Sequence, residues 1–152
     1  PYTGVCAIFS SRIKNGNSPL VFEDGEQTRD FIHVRDIARA NRLAIESDAE
    51  NVAVNIGSGS PTTINDVAET LIALYGNSDE FEPEIANDYR QGDIRHCYAD
   101  PAEAAEVLGF EAKIGFEQGM RELVEWGRDQ HADDQFEQAR EELEEKGLVG
   151  EE

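Results

Sequence analysis

The run Asn51-Val52-Ala53-Val54-Asn55-Ile56-Gly57 constrains the fold more than any other stretch of this chain. It is β-branched, reads as the clearest strand, and ends in the Gly57-Ser58-Gly59-Ser60-Pro61 turn. Helical spacing follows: Ile64, Val67, Ala68, Leu71 and Leu74 share one face. Thr63 stands at the N-cap, and Asp66 completes a relaxed capping box. A strand feeding a helix through a short turn points to the α/β class.

The same alternation extends in both directions. Val5, Ile8, Phe9 and Ile13 predict a helix within Tyr2 to Lys14, stopped by Asn15-Gly16-Asn17. Pro19 to Phe22 reads as a short strand, Glu23 to Glu26 as a turn, and Phe31 to Val34 as β-leaning. Ile37, Ala40, Leu43 and Ala44 predict a helix from Asp36 to about Ser47. Further on, Asp100 as N-cap with Pro101 at the first helical position opens a helix that Gly109 stops. Phe116, Met120, Leu123 and Val124 mark a last core-facing helix. Only one strand is robust, whereas a parallel sheet needs several, covered on both faces. Part of the sheet is therefore expected to be missing.

At 152 residues the length suits about one domain. The chain divides into a folded region, 1–128, and an acidic tail, 129–152, expected to be helical or partly disordered. Phe136, Leu143 and Leu148 are too sparse there for a heptad seam.

Charge excludes several functions. With 33 acidic against 13 basic residues the formal net charge is −20. No Lys/Arg cluster could track nucleic-acid phosphates, and an anionic membrane would repel the surface. Apolar stretches fall far short of the ~20 residues of a spanning helix, and no signal segment opens the chain. A soluble, cytoplasmic protein is expected. Among the basic residues only Lys14, Lys113 and Lys146 are lysines. Scarce lysine amid excess carboxylate resembles salt-adapted, halophilic proteins, in which salt offsets self-repulsion; a generic acidic surface is the alternative.

Cys6 and Cys97 fit buried free thiols better than a disulfide in such a chain. His33, His96 and His131 lack ligand spacing, so no metal site is expected. No self-contained catalytic set emerges either. The Gly57–Thr62 turn lacks the further glycine and lysine of phosphate loops, and no tyrosine is followed four positions later by lysine. The arginines stand out instead. Arg29 follows a turn, and Arg90 and Asp93 flank Gln91-Gly92. A guanidinium fork suits a phosphate, Asp93 could accept from ribose hydroxyls, and Phe22 could stack on a base. On these grounds alone, Arg29 pairing with Asp24 or Asp30 and Phe22 lying in the core fit as well.

A resemblance favours the ligand reading. Asp24-Gly25-Glu26-Gln27-Thr28-Arg29-Asp30-Phe31-Ile32-His33-Val34-Arg35-Asp36 resembles the DGxQxRDFxxVxD segment of NAD-dependent nucleotide-sugar epimerases and dehydratases, extended short-chain dehydrogenases/reductases. Asn55–Gly59 is similar to their NxGxG strand end. Arg90 to Asp100 is similar to their RxGDxRxSxAD segment, with Cys97 in place of serine. Leu108-Gly109-Phe110 and Gly119 to Trp126 resemble the closing LGY…GLxxxxxW. The UDP-glucose and UDP-N-acetylglucosamine 4-epimerases are the nearest in flavour.

The resemblance implies a C-terminal, substrate-binding part of a Rossmann-type fold, without the N-terminal NAD-binding βαβ units. In it Arg29 and Arg90 would bind the diphosphate of a UDP-sugar, Asp93 the ribose, and Phe22 the uracil face. Backbone amides near Thr3, Gly4 and Val5 would face the diphosphate, and Ile64 would touch the base. Asp36 and His33 are expected to be structural. The glycine-rich NAD loop and the Tyr-x-x-x-Lys pair precede the matched region in that family, so NAD belongs to the parent enzyme. This chain alone is expected to bind no cofactor, to hold no catalytic residue, and to need a missing N-terminal half or a homodimer partner. A catalytically silent nucleotide-sugar-binding module and an acidic interaction domain are the other readings.

Overall fold

Helix signals translate into structure most directly at Thr63. In the computed structural model, which describes residues 4–86, 88–90, 92–147 and 149–151, its hydroxyl accepts from the Asp66 amide at 2.9 Å, and the Asp66 carboxylate accepts from the Thr63 amide at 3.1 Å. This reciprocal box starts α3 (Ile64–Tyr75), and Gly76 ends it at φ +84°. Such a cap contributes about 1 kcal/mol.

The chain forms two compact units. The first takes residues 1–27, 63–95 and 120–152. Here α1 (Val5–Lys14) packs on α3. Phe9 and Ile13 of α1 are buried, as are Val67, Ala68, Leu71 and Ile72 of α3, Val21, and Met120 and Val124. Each fully buried aliphatic side chain among them contributes roughly 1.5–3 kcal/mol. Strand β1 (Leu20–Val21) pairs in parallel with β4 (Glu84–Ile85). Strand β5 (Asp88–Arg90) pairs antiparallel with β7 (Val149–Glu151), which follows α6 (Phe136–Glu145).

The second unit takes residues 28–62 and 96–119. Strand β2 (Thr28–Asp30) pairs in parallel with β6 (His96–Cys97), in a sheet ordered β3–β2–β6 with β3 at Pro61–Thr63. Its core is Ala40 of α2 (Val34–Glu46), Ala104 of α4 (Ala102–Leu108) and Phe110, with Ile32, Leu43, Val54, Ile56 and Leu108 against them. Helix α5 (Phe116–Arg128) gives Phe116 to this unit, where its ring lies 5.5 Å from that of Phe31.

Several expectations shift. Asn51–Gly57 joins no ladder among the described residues. Its alternation is satisfied by side-chain burial alone: Val54 and Ile56 meet the Phe110 cluster, while Val52 is 52% exposed. The β-leaning Phe31–Val34 is not a strand. Pairing falls upstream at Thr28–Asp30, because His33 caps α2, its Nδ1 accepting from the Arg35 amide at 3.1 Å. Asp100 lies one residue before the cap of α4, yet its Oδ1 accepts from the Ala102 amide at 3.0 Å. Both cysteines are free, and Cys97 is exposed rather than buried, since it sits on a short strand of exposed residues.

Candidate functional site

Phe22 follows β1, and the chain then turns tightly back. Glu23 takes φ +54° and Gly25 φ +76°. At Gly25 a Cβ would come within 1.9 Å of Asn65 Oδ1, so only glycine fits. The turn is stitched to the start of α3. Asn65 Nδ2 donates to the Asp24 carbonyl at 3.0 Å and to Glu26 Oε1 at 2.9 Å, and the Ile64 amide donates to the Gln27 carbonyl at 3.1 Å. Buried Gln27 donates from Nε2 to the Phe22 carbonyl at 2.9 Å. The Glu23 amide donates to the Asp88 carbonyl at 2.8 Å, which ties the turn to β5. Phe22 and Ile64 are both half-buried beside this turn.

Arg95 was given no role by its motif position, and the structure supplies one. Its guanidinium grips Asp24 with both nitrogens, each at 2.7 Å, and Nη1 also reaches Glu23 Oε2 at 3.0 Å. The Arg95 hydrogen bond, with help from the Glu26 amide, lowers the Asp24 pKa to about 2. The same carboxylates raise the Arg95 pKa. Two motif segments that are 71 residues apart in sequence are thereby clamped together. A signal was available, in that an arginine two positions after Asp93 can reach an acidic turn, but spacing alone names no partner.

The other expected residues divide among three circumstances. Gly4 is the N-cap of α1, and Val5 begins the helix, with no side-chain cap and no acidic residue in the first turn. Thr3 lies outside the described residues. Arg90 is placed by its backbone, opposite Val149 in the β5–β7 ladder. Asp93 is exposed, its Oδ1 accepting from the Ile94 amide at 2.8 Å, and Gly92 just before it takes φ +82°. Cys6, in the first turn of α1, sits 4.0 Å from Met120 Sδ, and burial pushes its thiol up to about 11, so it stays protonated.

Arg29 belongs to the second unit. It lies in β2 opposite Cys97, half-buried, with Nη1 donating to the Thr28 carbonyl at 2.8 Å. Beside it, Asp30 collects the Ser58 hydroxyl at 2.7 Å and the amides of Ser58, Gly59 and Ala99. Burial alone would raise its pKa; these donors outweigh burial and lower it. A Cβ at Gly57 would approach Asp30 Oδ2 to 2.4 Å, so glycine there lets the carboxylate come close. The amides of the Gly57–Gly59 turn are therefore taken by a carboxylate, and that turn does not fit a pyrophosphate. Asp36, 2% exposed, accepts from the Lys113 and Ile114 amides and from Arg39. Here too burial works to raise the pKa and the donors lower it further than burial raises it. Asp36 and His33 thus serve the fold.

The family model of GDP-mannose 4,6-dehydratase matches residues 3–123. A dTDP-L-rhamnose 4-epimerase from Burkholderia thailandensis is 35% identical over 126 residues, covering 82% of this chain and 34% of that protein. Among solved structures, a UDP-glucose 4-epimerase from Thermotoga maritima with UDP-glucose is 38% identical, with a TM-score of 0.73 over 84% of this chain and 40% of that one. A UDP-N-acetylglucosamine 4-epimerase from Methanobrevibacter ruminantium in complex with UDP-N-acetylmuramic acid is 39% identical, with a TM-score of 0.76 over 86% and 41%. These neighbours are Rossmann-type α/β proteins, and the chain spans about two fifths of their length. The chain belongs to the NAD-dependent nucleotide-sugar epimerase/dehydratase family of extended short-chain dehydrogenases/reductases.

Proposed function

We propose that this chain is the nucleotide-sugar-binding portion of an NAD-dependent 4-epimerase acting on a UDP-sugar. The observation that carries the reading is the turn after β1, where Arg95 clamps Asp24 and Glu23 while Asn65 of α3 holds the turn from the other side. That arrangement fixes the turn beside which Phe22 is half-buried, which supports assigning its ring to stack on uracil. Arg29 and Arg90 hold the diphosphate, Asp93 accepts from the ribose hydroxyls, and the amides of Thr3, Gly4 and Val5 add the positive end of α1. Ile64 borders the base.

The family's 4-epimerisation removes a hydride to give a 4-keto sugar and returns it to the other face. NAD supplies that hydride chemistry. Among the described residues, the Gly57–Gly59 turn has its Ser58 and Gly59 amides taken by Asp30, which argues against NAD at that turn. We assign cofactor binding and the tyrosine–lysine pair to sequence outside these 152 residues, and to this chain the holding and orientation of the nucleotide.

Calorimetric titration of UDP tests the reading. Heat of binding that disappears in Arg29→Ala and in Arg90→Ala is the expected result. Equal heats in all three proteins, or none in the parent chain, overturn it. The matched family also contains dTDP-sugar enzymes, so titrating dTDP alongside UDP reads out the base preference.

A further inference from the structure

Residues 129–152 hold ten acidic side chains against Arg140 and Lys146, a composition that favours a solvated segment. The family match ends at residue 123, before this segment begins. Yet the segment is fastened to the first unit at several points. Asp134 and Glu137 pair with Arg12 at 3.6 and 3.3 Å. Arg12 is 7% exposed, donates from Nε to the Ser18 carbonyl at 2.7 Å, and lies 4.6 Å from the centre of the Phe136 ring. Asn17 Nδ2 donates to Asp134 Oδ2 at 2.8 Å.

Two of the fastenings meet the residues assigned to the nucleotide. The Phe136 ring stands 6.1 Å from that of Phe22, tilted by 35°. Arg140 donates to Asp88 Oδ2 at 2.7 Å, at the start of β5, and β7 lies along β5 with Val149 opposite Arg90. Among the described residues β5 has no ladder partner except β7. A two-stranded ribbon is marginal by itself, so β5 relies on whatever holds β7 together with the Glu23 amide at the Asp88 carbonyl.

We propose that α6 and β7 are a positioning element for the nucleotide site: Phe136, held by Arg12, fixes the Phe22 ring, and Arg140 with β7 fixes the strand that carries Arg90. The inference rests on the nucleotide-sugar reading above. A stacking ring already immobilised by a neighbour loses less rotamer freedom when a base arrives, and this strengthens binding without adding a contact to the ligand. Phe136 and Arg140 are positioning residues in this arrangement, since neither is assigned a ligand contact.

The test is UDP titration of the full chain as wild type, Phe136→Ala, Phe136→Tyr and Arg140→Gln, with thermal unfolding of each. Phe136→Ala should bind UDP about three- to tenfold more weakly while still unfolding cooperatively, the loss expected for one aromatic pair. Phe136→Tyr, which keeps the ring, should regain wild-type affinity, and Arg140→Gln should lose about two- to threefold. Should Phe136→Ala not fold, Arg140→Gln decides. Wild-type affinity in folded Phe136→Ala and Arg140→Gln overturns the inference and leaves the nucleotide reading intact. A wild-type chain that takes no UDP overturns that reading, and the inference with it.

Discussion

The two units use the same residue types in opposite ways. In the second, aspartates gather backbone amides: buried Asp36 receives Lys113 and Ile114, and half-buried Asp30 receives Ser58, Gly59 and Ala99. In the first, arginines join acidic side chains: Arg95 takes Asp24 and Glu23 near the surface, while Arg140 takes buried Asp88 and buried Arg12 takes Asp134 and Glu137. A buried carboxylate that satisfies amides is a fixed part of the fold, costly to remove because its partners are stranded. An exposed ion pair is cheap to lose and is screened by salt. The Arg95 clamp is therefore the adjustable part, and it lies in the unit that carries most of the residues assigned to the nucleotide.

The sharpest way to break this contrast is Asp36→Ala. It strands two amides and the Arg39 guanidinium, and should destabilise the chain by about 3 kcal/mol in urea unfolding followed by circular dichroism. A penalty below about 1 kcal/mol would put Asp36 in the same class as the surface pairs. Gly25→Ala probes the rigid turn of the first unit. A positive φ and the contact with Asn65 together should cost about 2 kcal/mol, and UDP affinity should fall with it.

Acid probes the strength of one ion pair in the first unit. The Asp24 pKa is about 2 in the folded chain, against an ordinary 3.8. A depressed carboxylate pKa contributes stability that is fully present above 3.8 and is lost as pH falls through about 2. The stability difference between wild type and Asp24→Asn should therefore shrink between pH 4 and 2, as read by urea midpoints across that range. In Arg95→Gln the Asp24 carboxyl should titrate closer to 3.8 by NMR. The smallest effect concerns salt. Lys146→Gln, which breaks the exposed pair with Glu142 in the first unit, should cost under about 1 kcal/mol at low salt and still less in 1 M KCl, where the screening length drops to ~3 Å, while the Asp36→Ala penalty stays the same.

Local signals in the sequence were strong wherever one residue acts on its near neighbours. The Thr63/Asp66 box, the Gly109 helix end and the stop after Lys14 were all legible for that reason. Pairing was not legible, because a ladder depends on a partner distant in sequence. Asn51–Gly57 carries a strand pattern but joins no ladder among the described residues, and β2 forms three to four residues earlier than composition suggests. The site shows the same divide. Motif resemblance picked out Arg29, Arg90 and Asp93, yet the role of Arg95 depends on Asp24, 71 residues away, and that of Phe136 on Phe22 and Arg12. Sparse apolar residues in an acidic stretch carry no heptad signal, yet Phe136 together with the Arg12 and Arg140 ion pairs docks them.

The way the units are threaded also sets the order in which they can be completed during synthesis. The second unit has all its segments once Gly119 has emerged, whereas the first waits for 120–152 to return to α1 and β5. Its long-range closures between the α1 region and Asp134 or Glu137 bridge more than a hundred residues, the kind of contact that slows folding. On the ribosome the second unit should reach protease resistance first, and α1 with β1 should remain open to cleavage until the last turn of α6 has been made.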